Sequence, residues 1–253
     1  MDRKRIECID TLRGITIFSM IAYHFTWDLV YIMGYDLPWM NSIYAYIWQQ
    51  SICWSFILIS GFCWSMGRHP LKNGIQTFLF GGIVTMVTLL LMPEERILFG
   101  ILTLLGSAML LLYPLDHICA GIRSRSVHVS FLALNLFLFF IFKKVQKHIL
   151  FFGFFSIRLP EILYHGGYIT TYLGFPYQGF YSADYFGIFP WIFLYFAGYF
   201  LYHIYDLCFS DRKQIHWQIP LFSWIGQRSI WIYLLHQPVL YGLCMLLHFM
   251  RIL

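Results

Sequence analysis

Charge is what this chain lacks most. Asp, Glu, Lys and Arg make up 11% of its 253 residues, against about 25% in a soluble domain. So few charges cannot solvate a folded surface in water, which excludes a soluble globular protein. No hydrophilic stretch is long enough for a second, soluble domain. No C-x-x-C pattern occurs among Cys8, Cys53, Cys63, Cys119, Cys208 and Cys244, so no zinc or redox motif is read, and the cysteines are taken as small packing residues. No small-residue cleavage site follows the basic start, Met1-Asp-Arg3-Lys4-Arg5, which reads as the anchor of a first span and not as a cleaved signal peptide. Internal repeats and low-complexity tracts are also missing.

Apolar residues fill the space. The chain is 59% hydrophobic and 21% aromatic, with a mean hydropathy of +0.65. A span needs about 20 apolar residues, so most of the length goes into crossings. The expected fold is an all-α, polytopic membrane bundle of seven or eight transmembrane helices, forming one domain over residues 1–253. Expected spans run from about Leu12 to Met33, Ile43 to Met66, Gly74 to Met92, Ile97 to Tyr113, Val127 to Phe142 and Phe186 to Tyr205. A final one starts near Ile219 and is interrupted by Pro238. Asp116 to Ser126 reads as a loop. Ile149 to Ile157 is too short for a span, and residues 158–185, rich in Gly, Tyr and Pro, read as an interfacial loop.

The net charge of +5 is ordinary here, because Lys and Arg in membrane proteins report topology and not nucleic acid. Arg3, Lys4 and Arg5 place the N-terminus in the cytoplasm, in what would be a bacterial inner membrane. Arg68 with Lys72, and Arg123 with Arg125, then fall on the cytoplasmic side, and Glu94 and Glu95 outside. Lys143, Lys144 and Lys147 break the pattern, since the same scheme puts them outside.

Ionisable groups within spans are costly and mark function by default. The first span carries Asp10, Arg13, His24 and Asp28 on one stripe. Arg13 and His24 are eleven residues apart, three helical turns or roughly 16 Å at about 1.5 Å per residue. His24 and Asp28 are an i,i+4 pair. A carboxylate beside an imidazole can fix its tautomer and raise its basicity, which makes His24 a candidate base or nucleophile. The last span offers Arg228, Ser229, His236, Gln237 and Pro238, with Ser229 and His236 on one face and a proline kink expected beside His236. Asp184 and Tyr185, at the mouth of a span near Trp191, fit either a site for a sugar or a cation or an aromatic belt with a surface acid. Arg96 to Gly106 has the small residues of a close helix contact. His165, His216 and His248 read as interfacial. No metal site is expected.

These motifs resemble the heparan-α-glucosaminide N-acetyltransferase catalytic-domain family. The likeness begins with Arg5-Ile-x-x-Ile-Asp10-x-Leu-Arg13-Gly14 and His24-x-x-x-Asp28-Leu29. It continues in order through Ser60-Gly61-Phe62, Leu98-Phe99-Gly100, Asp184-Tyr185-Phe186 with Phe189-Pro190-Trp191, and Arg228-Ser229 with Tyr233 to Pro238. It covers nearly the whole chain.

The resemblance implies a multi-pass acyltransferase that moves an acetyl group from cytosolic acetyl-coenzyme A to a sugar or glycan acceptor across the membrane. His24, Asp28, Arg13 and His236 would be catalytic. Asp10, Trp27, Asp184, Tyr185, Ser229 and Gln237 would bind the acceptor, and Arg68, Arg123 and Arg125 the phosphates of the donor. The partners are then acyl-coenzyme A, a glycan and the lipid bilayer, with a homodimer left open. The animal enzymes use a histidine in a longer luminal insertion after the first catalytic span. Here that region holds Asp28, Tyr35 and Asp36, with no histidine before His69. Direct transfer with His24 as base therefore stands beside an acetyl-histidine intermediate.

Two other classes remain open. A proton-coupled transporter also uses His, Asp and Arg within spans, but it would show paired, Gly/Pro-broken spans in two matching halves. A non-catalytic scaffold would have no use for ionisable groups at span depth.

Overall fold

Inside a bilayer the backbone finds no water, so a crossing segment must satisfy its own N–H and C=O groups. Long apolar runs meet that demand as helices. The computed structural model describes residues 6–209 and 217–250. Among them are nine α-helices: α1 (Glu7–Tyr31), α2 (Ile43–Trp64), α3 (Pro70–Leu91), α4 (Ile101–Cys119), α5 (Arg125–Phe142), α6 (Gly167–Leu173), α7 (Ile188–Phe209), α8 (Pro220–Gln227) and α9 (Ser229–Phe249). The fold is all-α, as expected. Helices α3, α4, α5, α7 and α9 are long and apolar enough to cross a membrane. Helices α1 and α2 match them in length, α1 carrying its ionisable stripe and α2 carrying Gln49 and Gln50. Arg3, Lys4, Arg5 and His216, and the side chain of His248, lie outside the described residues.

The chain divides into two compact units, residues 1–56 with 213–253 and residues 57–212, the division falling within α2. In the first unit, α1 packs against α8 and α9. Apolar attraction between helices is weak in lipid, so close backbone approach has to supply the packing. A Cβ at Gly14 would overlap the carbonyl of Phe222, and one at Gly226 would overlap that of Asp10. Glycine at both positions lets α1 and α8 touch backbone to backbone. Ile17, Met20 and Ile52 form the core beside this seam.

In the second unit α3 packs antiparallel to α4 and α5 antiparallel to α7, and α7 also packs against α4. A Cβ at Gly106 would overlap the backbone of Phe78, so the small residues expected to permit close packing do so between α3 and α4. Ile75, Leu79, Ile83, Met86 and Leu90 of α3 recur at helical spacing and all face outward. Such a stripe suits lipid. Residues 143–187 form a cap at the end where α5 finishes and α7 starts. The cap contains α6 and a hairpin of strands β1 (Ile149–Phe151) and β2 (Ser156–Arg158), with Ile149 opposite Arg158 and Phe151 opposite Ser156.

Three expectations are corrected. Pro238 does not interrupt the last segment, since α9 runs through it and the break falls at Arg228. Proline removes one helix bond and crowds the preceding turn, but a single lost bond is tolerated within a span, and α9 continues on both sides of Pro238. The fourth helix starts at Ile101 and not Ile97, because Phe99 has φ 56. It also continues to Cys119, past the start of the expected loop at Asp116.

Candidate active site

In the first unit the stripe on α1 meets α9 at two adjacent levels. The rings of His24 and His236 lie 4.9 Å apart, centroid to centroid, tilted by 57°. One turn along α1, Gln237 Nε2 donates to Asp28 Oδ1 at 2.9 Å. Asp28 is fully buried and His236 is 9% exposed. A buried carboxylate needs donors to persist, and the Gln237 amide supplies one.

The geometry fixes the tautomer of His236. Its Nδ1 lies 2.5 Å from the Tyr233 carbonyl oxygen, which can only accept. Nδ1 therefore carries the hydrogen, and in the neutral ring Nε2 keeps its lone pair. That Nε2 is buried without a hydrogen-bond partner among the described residues. The sequence gives no hint of this bond, because the acceptor is a backbone carbonyl three residues earlier on the same helix. The ring of Tyr233 also stacks on Phe56, at 6.1 Å, and lies 5.3 Å from His236.

Asp10 and Arg13 share the α1 stripe but sit at its other end, against α8. Arg13 Nη1 is 3.7 Å from Asp10 Oδ1, and Asp10 is buried. Eleven residues of helix separate Arg13 from His24, about 16 Å, so the guanidinium does not reach the imidazoles. Trp27 lies against Tyr31, with centroids 4.9 Å apart. Ser229 opens α9. Arg228, just before it, is over the ring of Trp224 at 4.4 Å.

The remaining sequence-predicted residues belong to the second unit. Asp184 Oδ2 accepts from the N–H of Ile101 at 3.4 Å, at the start of α4, where four backbone donors lack helix partners. Around it, Ser182 Oγ bonds both N–H and C=O of Leu98, Ala183 N–H donates to Arg96 O, and Phe186 N–H donates to Phe99 O. This clasp brings the Leu98-Phe99-Gly100 and Asp184-Tyr185-Phe186 motifs together. It holds Phe99 in the left-handed region, which a bulky side chain rarely adopts unaided. Tyr185 Oη donates to the Thr171 carbonyl at 2.5 Å, and burial pushes its phenol above the ordinary range. Trp191 is buried, 5.6 Å from Phe139 and 5.1 Å from Phe186 between centroids, so its ring has no face open to a sugar. Arg123 and Arg125, at the start of α5, are exposed. Arg68 precedes α3, whose Gly74 neighbours Met109 and Leu110 of late α4. The three arginines therefore share one end of this unit, opposite the clasp.

One buried polar cluster was not read from the sequence. His128 of α5 stacks on His203 of α7 at 5.0 Å and 9°, and Tyr199 donates to Asp116 at 2.7 Å beside them. The i,i+4 spacing of Tyr199 and His203 was the available signal.

The chain matches the family model described as heparan-alpha-glucosaminide N-acetyltransferase, catalytic, over residues 5–238. It belongs to this family. Searches of curated proteins and of solved structures gave no match. This member of the acetyltransferase family is thus an acyltransferase and an integral membrane protein. The matched stretch contains the whole α1 stripe and α9 as far as Pro238, and so both halves of the histidine pair. Among the described residues no group of three or more His, Cys, Asp or Glu is arranged to hold a metal ion.

Proposed function

We propose that the chain transfers an acetyl group from acetyl-coenzyme A to a sugar or glycan acceptor, as one acyltransferase domain spanning both units. The observation that carries the reading is the His24–His236 pair beside the buried Asp28–Gln237 bond. In acyl transfer an acceptor amine or hydroxyl attacks the thioester carbon. A C–N or C–O bond forms, the C–S bond breaks, the acceptor proton goes to an imidazole, and the thiolate of coenzyme A leaves protonated. A neutral imidazole with a bare nitrogen suits the proton transfer, and His236 Nε2 has that form. His24 is the second imidazole in reach, able to serve as base or as the acyl-carrying nucleophile.

Arg68, Arg123 and Arg125 are assigned to the donor's phosphates, which guanidinium groups recognise in a bidentate manner. With that end cytoplasmic, the donor comes from the cytosol and the acceptor stands on the far side of a bacterial inner membrane. Asp10, Trp27, Ser229 and Gln237 are assigned to holding the acceptor, and Asp184 and Tyr185, both bonded to backbone, to fixing the loops beside α4. Thermal-shift titration of the detergent-solubilised protein with acetyl-coenzyme A tests the donor. A concentration-dependent rise in melting temperature is expected, and no response at millimolar ligand overturns the assignment. In a transfer assay, Arg123→Gln with Arg125→Gln should raise KM for acetyl-coenzyme A about tenfold, the scale of a lost charge-assisted bond, with kcat held.

A further inference from the structure

Three lysines stand at the end of the second unit where a positive-inside bias does not put them. Lys143, Lys144 and Lys147 follow α5 on the side of Glu94, Glu95 and the Ser182–Phe186 clasp. Their surroundings suggest another use. Leu134, Phe137 and Phe140 form an outward, lipid-facing row on α5. Lys144 continues that row, four residues beyond Phe140 and seven beyond Phe137. Its Nζ lies 4.2 Å over the ring of Phe151 on β1, a cation–π contact that ties the hairpin to the same outward row.

The hairpin tip is built from phenylalanine. The strands are joined through Phe152-Gly153-Phe154-Phe155, with Gly153 at φ +86 making the turn. Phe152 and Phe155 stack at 4.9 Å, Phe154 is fully exposed, and Phe155 and Ile157 are 59% and 48% exposed. Leaving these rings in water is unfavourable. Aromatic side chains concentrate at the headgroup level of a bilayer, and lysines beside them attract lipid phosphates. The neighbouring acid, Glu161, is exposed and 3.6 Å from Arg158.

We infer that the Ile149–Arg158 hairpin is a lipid anchor: Phe154 and Phe155 enter the headgroup–acyl boundary, and Lys143, Lys144 and Lys147 bind the phosphate of an anionic phospholipid. A soluble polyanion would satisfy the lysines but leave Phe154 in water, whereas a lipid surface satisfies both. The inference goes beyond acyl transfer and does not depend on which acyl group is moved.

The test uses the full chain in liposomes of phosphatidylcholine with phosphatidylglycerol. Phe154 is replaced by photo-reactive p-benzoylphenylalanine, and Phe155 in a second variant. Irradiation should give lipid adducts at both sites. Native mass spectrometry of the wild type should show phosphatidylglycerol retained over phosphatidylcholine. Replacing the three lysines with glutamine should weaken that retention about fivefold per lysine, with the protein still monodisperse on size exclusion. Absence of lipid adducts at both positions overturns the anchor. Retention unchanged in the lysine variant overturns the phosphate site. Binding of soluble chondroitin sulfate that persists while no adduct forms makes the surface a polysaccharide site and overturns the inference.

Discussion

The histidine pair and the Ser182 clasp place their polar groups in opposite ways. In the first, side chains face side chains across helices 209 residues apart in sequence, as Gln237 meets Asp28, and two imidazoles stand ring to ring. In the second, the long-range polar bonds of the clasp go largely to backbone: Ser182 to Leu98, Asp184 to Ile101, Tyr185 to Thr171. A side chain spent on a backbone partner fixes a loop and is finished. A side chain poised against another titratable side chain retains chemistry to perform. On the proposed function, the contrast would set the histidine pair apart as reactive and the clasp as scaffolding.

Substitutions can break that contrast. The largest effect is expected at His24. His24→Ala should lower acetyl transfer by about 10²–10⁴-fold, the usual worth of an acid–base group, with the protein still membrane-inserted and monodisperse on size exclusion. Activity near wild type would remove His24 from the mechanism and dissolve the distinction between pair and clasp. Gln237→Leu comes next. It takes a donor from a buried carboxylate, a loss of about 1–3 kcal/mol, so transfer should fall roughly tenfold and melting temperature should drop with it. If only the melting temperature moves, the Asp28–Gln237 bond is scaffolding too. The smallest effect belongs to the second unit. Tyr185→Phe removes the bond to Thr171 and should cost about 1 kcal/mol with transfer intact. Burial raises the Tyr185 phenol, so its contribution is complete below the unfolded value near pH 10. It declines as pH rises toward the folded value. Above pH 10 the wild type should therefore lose stability more steeply than the variant, as a pH series of melts would show. A rate loss at neutral pH would instead give Tyr185 a part in acceptor binding.

Local patterns were the legible part of the sequence. Apolar runs located α2, α3 and α5 to within a few residues, because a bilayer leaves such runs no structure but helix. The α1 stripe was legible from spacing alone, as was the weakness of Ile149–Ile157 as a span. What spacing could not supply was distant backbone. The start of α4 was placed four residues early, because Phe99 is held out of the helix by Phe186, far along the chain. Pro238 was read as an interruption, because residue types alone do not tell a proline that a helix absorbs from one that ends it, and the actual break falls at Arg228, which is neither proline nor glycine. The hairpin went unread, although Gly153 among four phenylalanines was its signal. Asp184 announced an acid among aromatics, but not that it accepts from the first turn of α4.

The Ser182 clasp has a consequence for biogenesis. Its partners are 84 residues apart, so α4 is synthesised well before the segment that completes its first turn. At about 5–20 residues per second, the N–H groups near Ile101 wait roughly 4–17 seconds for Asp184. During that interval the turn between α3 and α4 stands without these partners. Residues 182–186 therefore complete the start of α4 only after every residue of α4, α5 and α6 has been made.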